Sequence, residues 1–268
     1  MTTLTLTPER TTVRAPGIGS ALSDIGAMSA RELRRTLRSV DSLVTSFLIP
    51  VAIMLVFVVI FGGAIESDGD YVNYVVPGTL VLCLGFGSAG TAVAVAQDVT
   101  GGVVNRFKTL PVYGGAVLHG HVVASVLRNL AACVPVVGIA LLLGYRPAAG
   151  LGGWIAGILF ATLMILSFTW LSTFGGLLLS VDAAASLNFV FLFLPYLSSG
   201  FVPTDTMPSW LRGFADHQPF TPIIETLRRL LAGQNPGTDL WVALAWLVGI
   251  LVVSYVASTV VFRRRIKG

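Results

Sequence analysis

The stretch YVNYVVPGTLVLCLGFGSAGTAVAVAQ, from Tyr71 to Gln97, contains no charged side chain. At about 1.5 Å of rise per residue, a helix of this length would exceed the roughly 30 Å hydrocarbon core of a bilayer. The whole chain is similarly apolar: 54% of its 268 residues are hydrophobic and 11% are charged, against about 25% charged in soluble domains. In water this composition would leave large apolar patches exposed, so we predict a polytopic membrane protein.

Six stretches are long and apolar enough to cross a bilayer as helices, which need about 20 residues each. Their approximate bounds are 44–65, 71–97, 112–145, 148–181, 183–202 and 240–262. The shortest breaks between them lie at Arg146-Pro147 and at Asp182. The sequence therefore predicts an all-α polytopic membrane protein with six transmembrane helices.

The distribution of basic residues predicts the orientation, because cytoplasmic loops of membrane proteins are enriched in Lys and Arg. With both termini in the cytoplasm, thirteen of the 17 basic residues are assigned to the inner side. They are Arg10, Arg14, Arg31, Arg34, Arg35, Arg38, Arg106, Lys108, Arg128, Arg263, Arg264, Arg265 and Lys267. The outer segments hold the other four, against seven acidic residues. We therefore expect a multi-pass protein of the cell inner (plasma) membrane with both termini cytoplasmic.

The region before the first span divides into two parts. Residues 1–20 are rich in Thr, Pro and Gly and are predicted to be disordered. Residues 22–40 predict an amphipathic helix in the inner membrane interface, with arginines toward lipid phosphates. Its polar stripe carries Arg31, Arg34, Arg35 and Arg38. The same arginines also fit a simpler interpretation, a basic flank that sets the topology.

The loop QDVTGGVVNRFKTLPVYGG, residues 97–115, is cytoplasmic by the charge argument. Gly101-Gly102 would end the helix of the second span, and VVNRFKTL could form a short helix with Val104 and Phe107 on one side. A short helix with an apolar knob is suited to docking into a groove on another protein. An ordinary inner turn is the alternative.

The segment SSGFVPTDTMPSWLRGFADHQPFT, residues 198–221, interrupts the apolar chain with prolines and charges. Thr221 is a favoured N-cap for a short amphipathic helix that Gly233 would end. A second short helix is predicted in TMPSWLRGFA, residues 206–215. Because neither helix reaches spanning length, we predict a re-entrant hairpin at 205–232 that dips into the outer leaflet. Its backbone groups would be satisfied by neighbouring helices. The alternative is an extracellular loop anchored at the interface by Trp210.

Several functions are disfavoured by what the sequence lacks. No G-x-x-x-x-G-K-[ST] loop is present, so this chain does not bind ATP by that device. Spans one, two, four and six carry no charge, whereas ion-coupled carriers keep ionisable groups in the membrane. His119 and His121 would point about 200° apart on a helix, which is poor geometry for one metal ion. We assign no catalytic residue and no metal site, and expect the passive membrane half of a machine powered elsewhere.

Two motifs resemble the ABC-2 type transporter permeases, and within them the daunorubicin-resistance-type drug exporters. The inner motif is GGVVNRFKTLPV, followed by an arginine-containing span, and the outer one is SSGFVPTDTMPSWL with QPFTPIIETLRRLLAG. The resemblance covers about residues 20–268 and defines a transmembrane domain at 21–268. It implies a half-transporter like those of type V ABC exporters. Such a half has an interfacial connecting helix, a coupling helix between spans two and three, and re-entrant outer helices before span six.

With this resemblance, three groups of residues acquire expected roles. A coupling segment, 98–112, would contact the ATPase through Asp98, Gly102, Val104, Arg106, Phe107, Lys108 and Leu110. A substrate path would be lined by Phe168, Trp170, Phe189, Phe193 and Tyr196. An outer gate would contain Phe201, Pro203, Met207, Trp210, Pro219 and Phe220. For the aromatic side chains of the path, helix packing or contact with lipid is the alternative.

The resemblance also implies partners. Two copies of a separate ATPase subunit would bind ATP and Mg, while this chain would bind no cofactor and no nucleic acid. A second permease half would join it in the bilayer, as a homodimer or as a sister subunit. The leading hypothesis is export of a hydrophobic or amphipathic, drug- or antibiotic-like small molecule. Export of a lipid or lipid-linked glycan, or an ion-coupled secondary transporter or channel, are the alternatives.

Overall fold

A computed structural model describes residues 18–38, 40–62, 71–102 and 115–267, and within these ranges it contains helices and no strand. The α-helices, numbered here in chain order, are α1 (Ile18–Arg38), α2 (Val40–Leu55), α3 (Tyr71–Thr100), α4 (Ala116–Leu142), α5 (Leu151–Leu178), α6 (Val181–Phe193), α7 (Ser209–His217), α8 (Phe220–Leu231) and α9 (Gly237–Lys267). The predicted all-α class is confirmed for these ranges. Most of the predicted disordered tail, up to residue 17, lies outside the described residues.

Four helices, α3, α4, α5 and α9, are long and apolar enough to cross a membrane. Two shorter apolar helices cover Phe47–Phe61 and Val181–Leu197. Each includes a distorted end: α2 continues as a π-helix over Val56–Phe61, and α6 continues as a 3-10 helix over Leu194–Leu197. The apolar runs predicted from the sequence include these distorted turns, so the count of six spans stays a prediction.

Helix α3 forms the centre of the bundle. It packs against α2, α4, α5, α6 and α8, and most of its apolar surface is buried within the subunit. The main core joins side chains from these and neighbouring helices, including Met54, Leu84, Phe168, Ile223 and Leu247. Most of α9, in contrast, is apolar and exposed. An apolar helix with an exposed surface suits a lipid environment.

Glycines allow other segments to approach α3 closely. A Cβ on Gly176 of α5 would overlap the carbonyl oxygen of Ala92 and lie 2.9 Å from the Cβ of Val95, both on α3. A Cβ on Gly78 of α3 would overlap the backbone of Gly200, which precedes α7. Such contacts drive helix association in lipid, because lipid tails are as apolar as side chains and close van der Waals packing replaces the hydrophobic effect.

The start of α8 differs from the prediction and its end agrees with it. The helix begins one residue before Thr221, and its N-cap residue is Pro219, with no side-chain cap. The prediction that Thr221 caps the helix is therefore wrong; its hydroxyl donates to the Ala215 carbonyl at 2.5 Å instead. Gly233 follows the helix with φ of +67°, the left-handed conformation predicted for its terminator.

Because α8 packs on α3, α5 and α9, it lies within the bundle. The re-entrant depth of the 205–232 hairpin stays a prediction.

Replacing Gly176 by Ala should loosen the packing of α5 on α3. Overpacking of this kind costs about 1–3 kcal/mol, which corresponds to about 2–4 °C in Tm for each kcal/mol. The matched control is Gly138→Ala on α4, where a Cβ meets no atom within 4 Å. Thermal unfolding of the purified chain in detergent should show a lower Tm for Gly176→Ala only. Equal Tm values for the two variants would contradict the close approach.

Candidate coupling site

The terms inner and outer are used here for the two ends of the bundle that the predicted orientation assigns to the cytoplasm and to the exterior. At the inner end, amphipathic α1 packs along α4. The approach is close at Gly120, where a Cβ would lie 2.6 Å from the Cβ of Met28 on α1. Glu32 lies on the packed face of α1 and is buried, whereas Arg34 is exposed. This packing brings the Glu32 carboxylate beside His121 of α4.

A cluster of charged side chains joins the inner ends of three helices. His121 of α4 lies between two carboxylates: its Nε2 is 3.0 Å from Asp98 Oδ2 on α3, and its Nδ1 is 3.6 Å from Glu32 Oε2 on α1. Arg31 and Arg35 of α1 each place a guanidinium nitrogen 3.5 Å from the Asp98 carboxylate. We refer to these five residues as the inner cluster.

Opposite charges balance within the inner cluster. The side chains of Glu32 and Asp98 are 8% and 6% exposed, whereas those of Arg31 and Arg35 are 39% and 48% exposed. Burying a carboxylate is costly unless it is paired and hydrogen-bonded. An ionised carboxylate only accepts hydrogen bonds, so Nε2 of His121 donates to Asp98, whereas 3.6 Å is too long for a hydrogen bond from Nδ1 to Glu32. The cluster therefore ties α3 to both α1 and α4.

Three members of the inner cluster also meet a distance requirement for metal binding. One ligand atom from each of Glu32, Asp98 and His121 lies within 4.8 Å of the others. The two ring nitrogens of His121 face different carboxylates, however, and two guanidinium groups already compensate the charge of Asp98. The arrangement therefore favours an ion-pair network over a metal centre.

Asp98 lies at the base of the predicted coupling segment. Helix α3 ends at Thr100, and Gly102 follows with φ of +70°, which confirms the predicted helix break at Gly101-Gly102. Five of the residues predicted to contact the ATPase lie outside the described residues: Val104, Arg106, Phe107, Lys108 and Leu110. The inner cluster thus holds the described base of this segment against two other helices.

The four arginines expected to face lipid phosphates do not share one environment. Arg31 and Arg35 pair with Asp98, and Arg34 is exposed on α1. Arg38 is the last residue of α1, and its side chain lies outside the described part. Arg31 and Arg35 therefore bind a buried carboxylate, and the expected contact of the four arginines with lipid phosphates stays a prediction.

A second polar network, which we refer to as the mid-membrane network, lies halfway along α3 and α4. Its members are Gly87, Thr91, Ser125, Arg128 and Thr169. Nη2 of Arg128 donates to the Gly87 carbonyl at 3.1 Å. The Ser125 hydroxyl lies 3.2 Å from that of Thr91 and 3.1 Å from that of Thr169, so the network links α3, α4 and α5. The charge count assigned Arg128 to the inner side. Arg128 lies at the end of the first half of α4 (Ala116–Leu142), and the side of the membrane that this half faces stays a prediction.

At the outer end, Arg228 of α8 fixes the hairpin to α3. Its guanidinium carbon lies 3.9 Å from the centre of the Tyr74 ring, and its Nη2 donates to the Ser199 carbonyl at 2.7 Å. Nε donates to the Tyr74 carbonyl at 3.2 Å, and Nη1 pairs with Glu225 on the same helix. The Tyr74 hydroxyl also donates to the Ser199 carbonyl, at 2.8 Å. We refer to these four residues as the outer clamp.

The predicted substrate-path residues divide between core and surface. Phe168 and Trp170 are buried within the subunit, as the packing alternative expects. Phe189 and Phe193 of α6 are 62% and 58% exposed, and Tyr196 is half-buried. The exposed pair is therefore the part of the predicted path that an external molecule can reach in this conformation.

The predicted outer-gate residues are similarly divided. Phe201 is buried and stacks on Tyr196 at a ring-centre distance of 4.6 Å. Phe220 is buried and stacks on Phe168 at 5.4 Å, so it belongs to the core. Trp210 is 78% exposed, which fits the alternative of an anchor at the interface. The remaining three are half-buried: Pro203, Met207 and Pro219.

A bundle of apolar helices whose inner cluster lies where one loop begins has the architecture of a membrane transport subunit. Residues 23–232 match the family described as ABC-2 type transporter, and the chain therefore belongs to this family. The matched range contains the inner cluster, the mid-membrane network and the outer clamp, and it ends before α9.

Two curated relatives are named for drug resistance. The chain is 28% identical over 214 residues to the daunorubicin resistance ABC transporter permease protein DrrB1 of Streptomyces coeruleorubidus, covering 79% of this chain and 76% of that protein. It is 24% identical over 255 residues to the probable doxorubicin resistance ABC transporter permease protein DrrC of Mycobacterium tuberculosis, with 87% and 86% coverage. The predicted resemblance is confirmed: the chain is an integral membrane permease subunit of the ABC exporter type, a class that works with an ATPase subunit.

Replacing Asp98 by Asn should weaken the joint between α1, α3 and α4. Removing one partner of a buried pair costs about 3–5 kcal/mol, and the half-exposed arginines reduce the expected loss to about 1–3 kcal/mol. The measurement is Tm in detergent, with Arg34→Gln as the control on the exposed face of α1. A wild-type Tm for Asp98→Asn would refute the structural role of the inner cluster.

In the outer clamp, Arg228→Lys should not replace the arginine. An ammonium group cannot reproduce the planar fork that bonds two carbonyls while stacking on Tyr74. We expect Arg228→Lys and Arg228→Gln to lower Tm by similar amounts. The control, Arg229→Gln, breaks a half-exposed pair with Asp239, and such pairs contribute about 0–1 kcal/mol. Full stability of Arg228→Lys would show that charge alone holds the hairpin.

Proposed function

We propose that this chain is one membrane half of an ATP-driven exporter that moves hydrophobic or amphipathic small molecules outward. Two copies of a separate ATPase subunit would bind ATP and Mg and supply the energy. A second permease half, an identical copy or a sister subunit, would complete the transporter in the plasma membrane. The relatives named for daunorubicin and doxorubicin resistance support a drug-like cargo.

The inner cluster is the observation that carries this proposal. A force applied to the coupling segment reaches Asp98 first, because this residue forms the base of that segment on α3. The Asp98 carboxylate is bonded to α1 through two arginines and to α4 through His121. A displacement of the segment would therefore move three helices together instead of fraying the end of one.

The charge distribution in the spans supports an external energy source. The sequence has no acidic residue at 42–65, 71–97, 99–181, 183–204 or 240–268. Proton- and sodium-coupled carriers usually place such residues within the membrane. The acidic residues nearest to the spans at the inner end include Asp98 and Glu32, and both are already neutralised by arginines. An ion-driven cycle is for this reason the less favoured alternative.

Reconstitution with an ABC ATPase subunit that assembles with this chain tests the proposal. Inside-out proteoliposomes should accumulate daunorubicin, followed by its fluorescence, when ATP is present and the ATPase is active. Phe107→Asp should leave ATP hydrolysis in place and reduce uptake by about tenfold or more, because a charge would disrupt an apolar docking contact. Uptake without nucleotide that follows an imposed proton gradient would instead establish a secondary transporter. ATP-dependent lipid movement without drug uptake would favour the lipid alternative.

A further inference from the structure

Arg128 is a cation in the membrane-spanning part of the bundle, and the hydrogen bonds shown for it reach only neutral groups. Its Nη2 donates to the Gly87 carbonyl at 3.1 Å and lies 3.5 Å from the Thr91 hydroxyl. A guanidinium group has five N–H donors. No hydrogen bond is shown for Nη1 or Nε. Neither atom is among the buried polar atoms of the described residues that lack a partner, so both keep some exposure. These nitrogens are available to a ligand.

The depth of this guanidinium group argues against simple contact with the aqueous surface. Gly87 and Thr91 lie 13 and 9 residues before Thr100, the inner end of α3. At 1.5 Å per residue, these separations are about 20 Å and 14 Å. Half of the hydrocarbon core of a bilayer is about 15 Å thick. The charge therefore lies well inside the span, where an unpaired cation is costly and commonly marks a substrate or ion pathway.

None of the ion pairs among the described residues involves Arg128. Residues 71–97 and 99–181, which include α4 and α5 and nearly all of α3, contain no acidic residue. Glu32 is close enough to attract Arg128 electrostatically, but it lies within the inner cluster, beside Arg31. A second copy of this chain would carry the same uncharged spans. Among the described residues, Arg128 therefore has an electrostatic attraction to Glu32 but no directly paired carboxylate.

The surface beside Arg128 is open enough to admit another molecule. Gly90 and Ala94 form a half-exposed strip of small residues on one face of α3, next to Gly87, which the Asn129 side chain covers. A Cβ on Gly90 would meet no atom within 4 Å, so space remains above the backbone there. Arg128 is itself partly exposed. An amphipathic molecule lying along this strip could place a polar group against the guanidinium and its apolar part against α3 and α4.

We propose that Arg128 binds the anionic group, a carboxylate or a phosphate, of an amphipathic molecule held within the membrane. A guanidinium group binds either anion through two parallel hydrogen bonds, which neutral partners in the network cannot replace. The inference rests on the proposed export function for its meaning, since it adds acidic amphipathic molecules to the drug-like cargo proposed above. The same chemistry would also retain an anionic lipid, and the experiment separates these two sources.

Binding to the permease alone tests the site without involving the ATPase. The chain is placed in phosphatidylcholine nanodiscs, and fluorescence titration is performed with dansylated undecanoic acid and with its uncharged methyl ester. Arg128→Gln should weaken binding of the acid by about tenfold or more and leave binding of the ester unchanged. Arg128→Lys should retain part of the affinity for the acid. The control is Arg212→Gln, which removes an exposed arginine from α7.

The outcomes discriminate between the sources of the anion and between this inference and the proposed function. If phosphatidylglycerol in the nanodiscs displaces the acid from the wild type, the site holds an anionic lipid; if it does not, the site selects acidic cargo. Equal affinity of wild type and Arg128→Gln for the acid, with unchanged Tm, would overturn the inference. An equal loss of acid and ester binding would overturn it too, because it would show a purely structural role. Failure of ATP-dependent export would leave the binding result intact and would count only against the proposed function.

Discussion

The carboxylate of Asp98 is the point on which the inner half of the structure depends. It lies at the end of the central helix and binds two arginines of α1 and a histidine of α4. Because the carboxylate is buried, losing any of these partners would leave a poorly compensated charge. The pairing therefore fixes the rotation of α1 about its own axis and holds the inner end of α3 against α1 and α4. Both constraints act on the start of the loop predicted to meet the ATPase.

The packing of the other helices depends on the lipid that surrounds the bundle. In lipid there is little hydrophobic drive between helices, so close contacts at small residues and a few polar groups determine which faces meet. Gly176 and Gly78 provide such contacts on the central helix. The inner cluster, the mid-membrane network and the outer clamp then mark three levels along the bundle where polar groups fix its register. Each level includes a residue of the central helix: Asp98, Thr91 and Tyr74.

Sequence patterns predicted what depends on local composition. The apolar runs, the helix break at Gly101-Gly102 and the terminator at Gly233 are local, and the family resemblance rested on contiguous motifs. The inner cluster could not be predicted, because Glu32, Asp98 and His121 are far apart in the sequence. Their meeting depends on how three helices rotate against one another. The sequence of each helix shows which side chains are charged, but it does not show which side chains of other helices pair with them.

The remaining differences have equally physical causes. Arg128 was counted with the inner charges, and the sequence could not show that its guanidinium bonds to the Gly87 carbonyl and the Thr91 hydroxyl of α3. Thr221 has the composition of a cap, but the chain enters α8 through Pro219 and uses the hydroxyl elsewhere. Span ends are ambiguous for α2 and α6, since apolar composition does not distinguish a regular helix from π or 3-10 turns.

Distances between spin labels across the α1–α3 joint test the central claim most directly. Labels would be attached at Gly26→Cys on α1 and Thr100→Cys on α3, both exposed, with Cys83 and Cys133 replaced by Ala. Pulsed electron paramagnetic resonance should give one narrow distance distribution in the otherwise wild-type chain and a clearly broader one after Asp98→Asn. A narrow distribution that the substitution leaves unchanged would show that the Asp98 carboxylate does not hold these helices together.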